Sequence, residues 1–179
     1  MPINGFNKTT LLDYPGKIAS TIFLGGCNFR CPFCQNSSLV LSPNKQPVIS
    51  TEEVLSVLKK RQGILEGVCI TGGEPTSDKE LFLLIDKIKE LGYPVKLDTN
   101  GSHPWILKKL VNNQMIDMVA MDIKSSKESY AKVSGCKNID LTSICESVEF
   151  LLSNVIPYEF RTTVVRELHD KADFESIGK

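Results

Sequence analysis

The sequence contains no apolar run long enough to cross a bilayer. Its opening stretch, MPINGFNKTTLLDYPGK, lacks the charged start, apolar middle and small-residue cleavage site of a secretory leader. Both absences point to a cytoplasmic location with no membrane partner. Neither sign of charge is in surplus, because 21 Lys and Arg balance 21 Asp and Glu. A balanced chain has no broad basic surface for nucleic acid. Histidine is scarce too: His103 and His169 are the only two, and their spacing is not that of a metal-ligand pair. No internal repeat, low-complexity tract or linker interrupts the 179 residues, so residues 1–179 read as one domain with a substantial core.

What is present is an alternation of strand-like and helix-like runs. Residues 18–24 (IASTIFL) are short, apolar and β-branched, and end in Gly25-Gly26. Further strands are predicted over 67–71 (GVCIT), 94–98 (PVKLD), 117–123 (DMVAMDI) and 158–165. Between them, Ser50 with Glu53 and Ser77 with Glu80 read as capping boxes opening helices over 51–61 and from Leu81 to a stop at Gly92. Pro104 opens a helix to about Asn112, and Asp140 caps one through Leu152. Residues 124–139 read as a polar loop with at most a helical turn, and 173–179 as the start of another helix. Five βα units predict an α/β architecture, either doubly wound or a partial (β/α) barrel. No sixth βα strand is visible, which implies an open side wall or a longer natural chain. The cysteine loop, GGEP, DTNG and DIK all follow strand ends, where ligands of such folds gather.

Of six cysteines, Cys69, Cys136 and Cys145 are scattered and read as small buried hydrophobes. The other three, Cys27, Cys31 and Cys34, crowd the stretch GGCNFRCPFCQN. A structural zinc site is closed by four protein ligands, and no fourth is nearby. Three thiolates on a [4Fe–4S] cube leave one iron open to a small molecule.

CNFRCPFC, with an aromatic residue before the last cysteine, resembles the CxxxCxΦC signature of the radical S-adenosylmethionine (SAM) superfamily. TGGEP one βα unit later strengthens the resemblance. DYPGK and IFLGGCNFRCPFCQN are similar to the activating enzymes of glycyl-radical enzymes, in particular those of anaerobic ribonucleoside-triphosphate reductase and then of pyruvate formate-lyase. The resemblance runs from about Thr10 to Val165. It implies a partial barrel of the radical SAM type, a [4Fe–4S] cluster held by Cys27, Cys31 and Cys34, and SAM chelated at the open iron. One electron from flavodoxin or ferredoxin would cleave SAM to a 5′-deoxyadenosyl radical, which would take hydrogen from a glycine of a partner enzyme under anaerobic conditions.

The same resemblance assigns the remaining motifs. Backbone carbonyls of Gly72, Gly73 and Glu74 would receive the methionyl ammonium, with Glu74 adding complementary charge. Phe33 would pack on the adenine. Asp98, Thr99 and Asp122 match residues around a monovalent cation, whose charge would relieve two neighbouring carboxylates. Lys124 and Arg161 match positions that meet the methionyl carboxylate, a role that suits the planar donor fork of arginine. Arg161 is also a charge in an otherwise strand-like run, FRTTVV, where burial would be costly without a partner. His169 reads as an exposed loop histidine and Tyr14 as packing. Two other readings stay open: a radical enzyme acting on a small molecule or RNA base, and a zinc-binding interaction module.

Overall fold

The computed structural model describes residues 2–178. Its centre is a six-stranded sheet in the order β1 (Ile3–Thr10), β2 (Ala19–Leu24), β3 (Gly67–Gly72), β4 (Val95–Thr99), β5 (Met118–Asp122) and β6 (Tyr158–Arg161). The strands from β2 to β6 pair in parallel, whereas β1 runs antiparallel along β2. The two outer strands, β1 and β6, do not pair with each other, so the sheet is an open, partial (β/α) barrel. This bears out the expected class and its unclosed flank.

Strand register explains the two faces. Ile22, Ile70, Leu97 and Val119 stand side by side across β2–β5, and all four are fully buried. They pack under the helices α2 (Thr51–Lys60), α3 (Leu81–Glu90), α4 (Pro104–Asn112) and α6 (Leu141–Leu152), through Val54, Leu58, Ile85, Leu107, Leu110 and Ile144. Because side chains alternate across a strand, the row one residue earlier, Thr21, Cys69 and Lys96, faces the other way. That inner face is polar and continues as Asp98, Glu159 and Arg161.

Several local expectations hold. Ser50 caps α2, its hydroxyl accepting from Glu53 N at 3.1 Å. Asp140 caps α6 through Ser143 N, and Pro104 opens α4. Others need correction. The Ser77–Glu80 box does not form: Ser77 sits in a 3₁₀ turn, Pro75–Ser77, and α3 starts only at Leu81. β1 was not foreseen, because INGFNKTT has no apolar period; it is defined by pairing with β2, with irregular register on either side of Gly5–Asn7. β6 is half the expected length, since no strand lies beyond it and the chain leaves the sheet after Arg161. Two short helices, α1 (Ser37–Leu41) and α5 (Tyr130–Ser134), complete the connections. The last helix, α7 (Lys171–Ile177), begins two residues before the expected start, and the predicted end at Lys179 lies outside the described residues. No helix among the described residues is long and apolar enough to cross a membrane.

The segment after β6 folds back as a strap over the end of β5. Asp173 accepts from Ser125 Oγ at 3.2 Å and Ser126 Oγ at 2.5 Å, and forms a reciprocal capping box with Asp170. His169, expected in solvent, is 8% exposed. Its Nε2 donates to Lys124 O at 2.8 Å and its Nδ1 accepts from Val165 N at 3.1 Å. A loop position says nothing about burial once the loop folds onto the sheet. The hydroxyl and amide donors around Asp173, Ser126 first, hold its carboxyl down at about 2. A depressed acid stabilises the fold above its unfolded value of about 3.9 and loses that contribution as pH falls. Hydrogen exchange should therefore show residues 165–177 losing protection between about pH 4 and about pH 2, ahead of the β2–β5 amides. Asp173→Asn should loosen the same residues at neutral pH. Equal protection in strap and sheet throughout would contradict this anchor.

Candidate functional site

Beyond Leu24 the chain enters the cysteine loop, which backbone hydrogen bonds clamp to its surroundings. Gly26 O accepts from Glu74 N at 2.9 Å, Gly73 N donates to Leu24 O at 2.8 Å, and Gly26 N donates to Leu39 O at 2.9 Å. On the far side, Arg30 N donates to Ser134 O at 2.9 Å. The two glycines of GGEP are there because nothing larger fits. A Cβ on Gly73 would lie 1.7 Å from Gly26 O. One on Gly72, whose φ is +114°, would lie 2.4 Å from the backbone of Leu24. The turn GGEP is thus the surface on which the cysteine loop rests.

A cavity of about 390 Å³ opens above the strand ends, within the size range of small-molecule sites. Cys27, Cys31, Cys34 and Phe33 line it from the loop; Gly72, Gly73 and Glu74 from the end of β3. Asp98 and Thr99 line it from β4, Asp122 and Lys124 from β5, and Arg161 from β6. All the residues singled out in the sequence therefore converge on one cavity.

The three thiols are half-buried. Burial pushes Cys27 up to about 11, against a smaller lowering from the Phe29 N–H that meets its sulfur. Burial likewise raises Cys31, opposed by nearby Lys124. Such thiols hold their protons until a metal displaces them. Among the described residues no three His, Cys, Asp or Glu groups gather as for a single metal ion. Three thiols on one wall of a cavity, without a fourth lining it, fit a multi-iron cluster with an open corner better than a closed zinc site. Cys136 stands outside the cavity but is not a plain core residue: half-buried, its sulfur donates to Asn28 O at 3.3 Å behind the loop.

Glu74 lines the cavity while its carboxylate turns away into a closed network. It accepts from Thr76 N at 3.0 Å, Thr76 Oγ1 at 2.5 Å, Thr99 Oγ1 at 2.8 Å and Asn100 N at 2.7 Å. Burial raises its pKa and these donors oppose the rise. The carboxylate thereby ties the end of β3 to the end of β4. The two aspartates are also engaged. Arg161 bridges them, NH2 to Asp98 Oδ2 and Nε to Asp122 Oδ1, both at 3.2 Å. Lys96 Nζ meets Asp98 Oδ1 at 2.6 Å and Lys124 Nζ meets Asp122 Oδ2 at 3.0 Å. Arg161 is not buried as its apolar sequence neighbours suggested; its side chain is 38% exposed. The nearby carboxylates raise its pKa against the cost of desolvation.

Several contributors were not foreseen. Asn36 Nδ2 donates to Gly72 O at 2.9 Å, and Asn100 Nδ2 reaches Asn28 Oδ1 at 2.9 Å. Thr162 and Thr163 line the cavity where β6 ends early. Position beside the CPFC and DT motifs was the available signal for the two asparagines. Lys96 had one as well: a lysine two residues before an aspartate on a buried strand needs a partner.

The Radical SAM superfamily profile matches residues 21–176, and the chain belongs to that superfamily. The family implies a [4Fe–4S] cluster and SAM, for which the three loop cysteines are in place. A Methanocaldococcus jannaschii protein, provisionally named a glycyl-radical enzyme activating enzyme, is 33% identical over 99% of this chain and 74% of its own length. A Thermococcus kodakarensis protein, provisionally named a GTP 3′,8-cyclase, is 28% identical over 80% of this chain and 46% of its own. The solved structure of native anSMEcpe with bound AdoMet shares the fold at a TM-score of 0.65 and 20% identity, covering 87% of this chain and 46% of that one. This chain thus spans less than half of the latter two proteins.

The close backbone contact gives a direct test. Gly73→Ala should destabilise the protein by about 1–3 kcal/mol, the usual cost of overpacking, and lower the iron retained after reconstitution. Unchanged melting temperature and iron content would show that the loop does not rest on this turn.

Proposed function

We propose that this chain is an activase that generates a glycyl radical on a partner enzyme, with anaerobic ribonucleoside-triphosphate reductase the favoured partner. Cys27, Cys31 and Cys34 hold the cluster. The carbonyls of Gly72, Gly73 and Glu74 would receive the methionyl ammonium, Gly72 O sharing it with Asn36 Nδ2, and Phe33 would support the adenine. Lys124 and Arg161 receive the methionyl carboxylate as charge-assisted donors. When bound, cluster and SAM supply a 5′-deoxyadenosyl radical by one-electron reductive cleavage, the electron coming from flavodoxin or ferredoxin. The protein's contribution is to orient and to exclude water. The monovalent cation implied by the resemblance is not part of this reading. Asp98 and Asp122 are instead ion-paired at every carboxylate oxygen by Lys96, Arg161 and Lys124, and Thr99 Oγ1 donates to Glu74 at 2.8 Å.

The observation that supports a macromolecular substrate most is the unclosed flank between β1 and β6 beside the cavity. A glycine loop of a partner protein needs such width. The 33% identity across 99% of the chain to a protein named for this activity points the same way. The likeness to a cyclase keeps a small-molecule reaction as the competing outcome. The test is anaerobic incubation of the reconstituted chain with reductant, SAM and candidate partners, read by electron paramagnetic resonance. The expected result is a glycyl doublet on the partner that depends on SAM and disappears in Cys31→Ala. SAM cleavage with no doublet on any candidate partner, and turnover of a nucleotide instead, would replace this reading with the small-molecule one.

A further inference from the structure

Lys96 is the only buried lysine among the described residues, with 1% of its side chain exposed. It sits on β4 two positions before Asp98, so both side chains leave the same face of the strand. Its Nζ lies 2.6 Å from Asp98 Oδ1 and 3.6 Å from Glu159 Oε1. The opposite oxygen of Asp98 is held by Arg161, which reaches on to Asp122; Lys124 takes the last oxygen of Asp122. Four carboxylate oxygens thus meet four cationic nitrogens. With Glu159, the inner face carries three anions and three cations, a balanced set. A monovalent metal ion needs oxygen ligands, and here each carboxylate oxygen of Asp98 and Asp122 already has a nitrogen partner.

The cations differ in freedom. Arg161 is 38% exposed at the mouth of the cavity and can turn toward an incoming carboxylate. Lys96 cannot follow, because moving it would leave a buried ammonium unpaired. We propose that Lys96 is the resident cation of this site: it holds Asp98 in place, takes over the role of the monovalent metal ion that the family resemblance implies, and frees Arg161 to meet the carboxylate of SAM. Lys96 is a positioning residue, acting on the ligand through Asp98 and Arg161. The proposal rests on the assignment of this cavity to SAM.

The experiment is anaerobic equilibrium dialysis of SAM against the reconstituted chain in potassium, sodium or tetramethylammonium buffer. Thallium-205 resonance of the same samples reports any bound monovalent cation. The wild-type chain should bind SAM equally in all three buffers and show no site-bound thallium. Lys96→Met should bind roughly tenfold more weakly in tetramethylammonium, as expected for loss of one coupled partner, and recover in potassium with thallium now bound. Lys96→Arg should keep the indifference to salt and covers the case in which the methionine variant does not fold. A potassium or sodium requirement in the wild type, bound thallium in the wild type, or salt-independent wild-type affinity in Lys96→Met would each overturn the proposal. Failure of the wild type to bind SAM in any buffer would instead overturn the assignment of the cavity.

Discussion

Everything at the rim of this barrel depends on one backbone contact, the hydrogen bond from Glu74 N to Gly26 O. It seats the cysteine loop directly on the turn after β3, at a separation that excludes a side chain from Gly73. Around it the loop is tied to α1 through Leu39 and to the end of α5 through Ser134. Loops that carry chemistry gain precision from such supports, since the loop has little packing of its own. The same contact orders the second shelf of the site. Glu74 continues from the shared turn into a network that fixes Thr99 and Asn100 at the end of β4.

Above this frame the electrostatics divide into two zones. Cys27 and Cys31 lie where burial favours neutral thiols, with Lys124 offsetting part of that cost. Across the cavity lies the ion-paired set of Lys96, Asp98, Asp122, Lys124, Glu159 and Arg161. Carboxylates so paired remain fixed, and the more exposed cations at the edge are available to an anionic group. The division suits a ligand with an amino acid end and an apolar, ring-bearing end. A third feature is that β1 and β6, the outer strands among the described residues, do not pair, so the sheet stays open on that flank.

Much of this arrangement was legible in the residues. Runs such as IASTIFL and GVCIT read as buried strands because they are short, apolar and β-branched and end at glycines, and the sheet sets them side by side. The cysteine loop, GGEP, DT and DIK read as a site because strand polarity brings them to one rim. What could not be read depended on contacts distant in sequence. β1 has no apolar period and is defined by its pairing with β2, with a further bridge from Ile3 to Ile49. His169 looked solvated until the strap placed it between Lys124 and Val165. Asp98 and Asp122 were expected to share a bound cation, whereas the fold sets the Arg161 guanidinium between them. The Ser77–Glu80 box failed because the 3₁₀ turn starting at Pro75 consumed its first residue. Local patterns reported elements, while partners of charged groups required the fold.

The central claim is that three thiols hold a cluster whose fourth corner accepts SAM. Mössbauer spectra of the ⁵⁷Fe-reconstituted chain, with and without SAM, test it most directly. The account predicts a [4Fe–4S] signature in which one iron of four changes its isomer shift and quadrupole splitting when SAM is added. Four irons that ignore SAM, or a colourless protein that retains zinc and no iron, would contradict it.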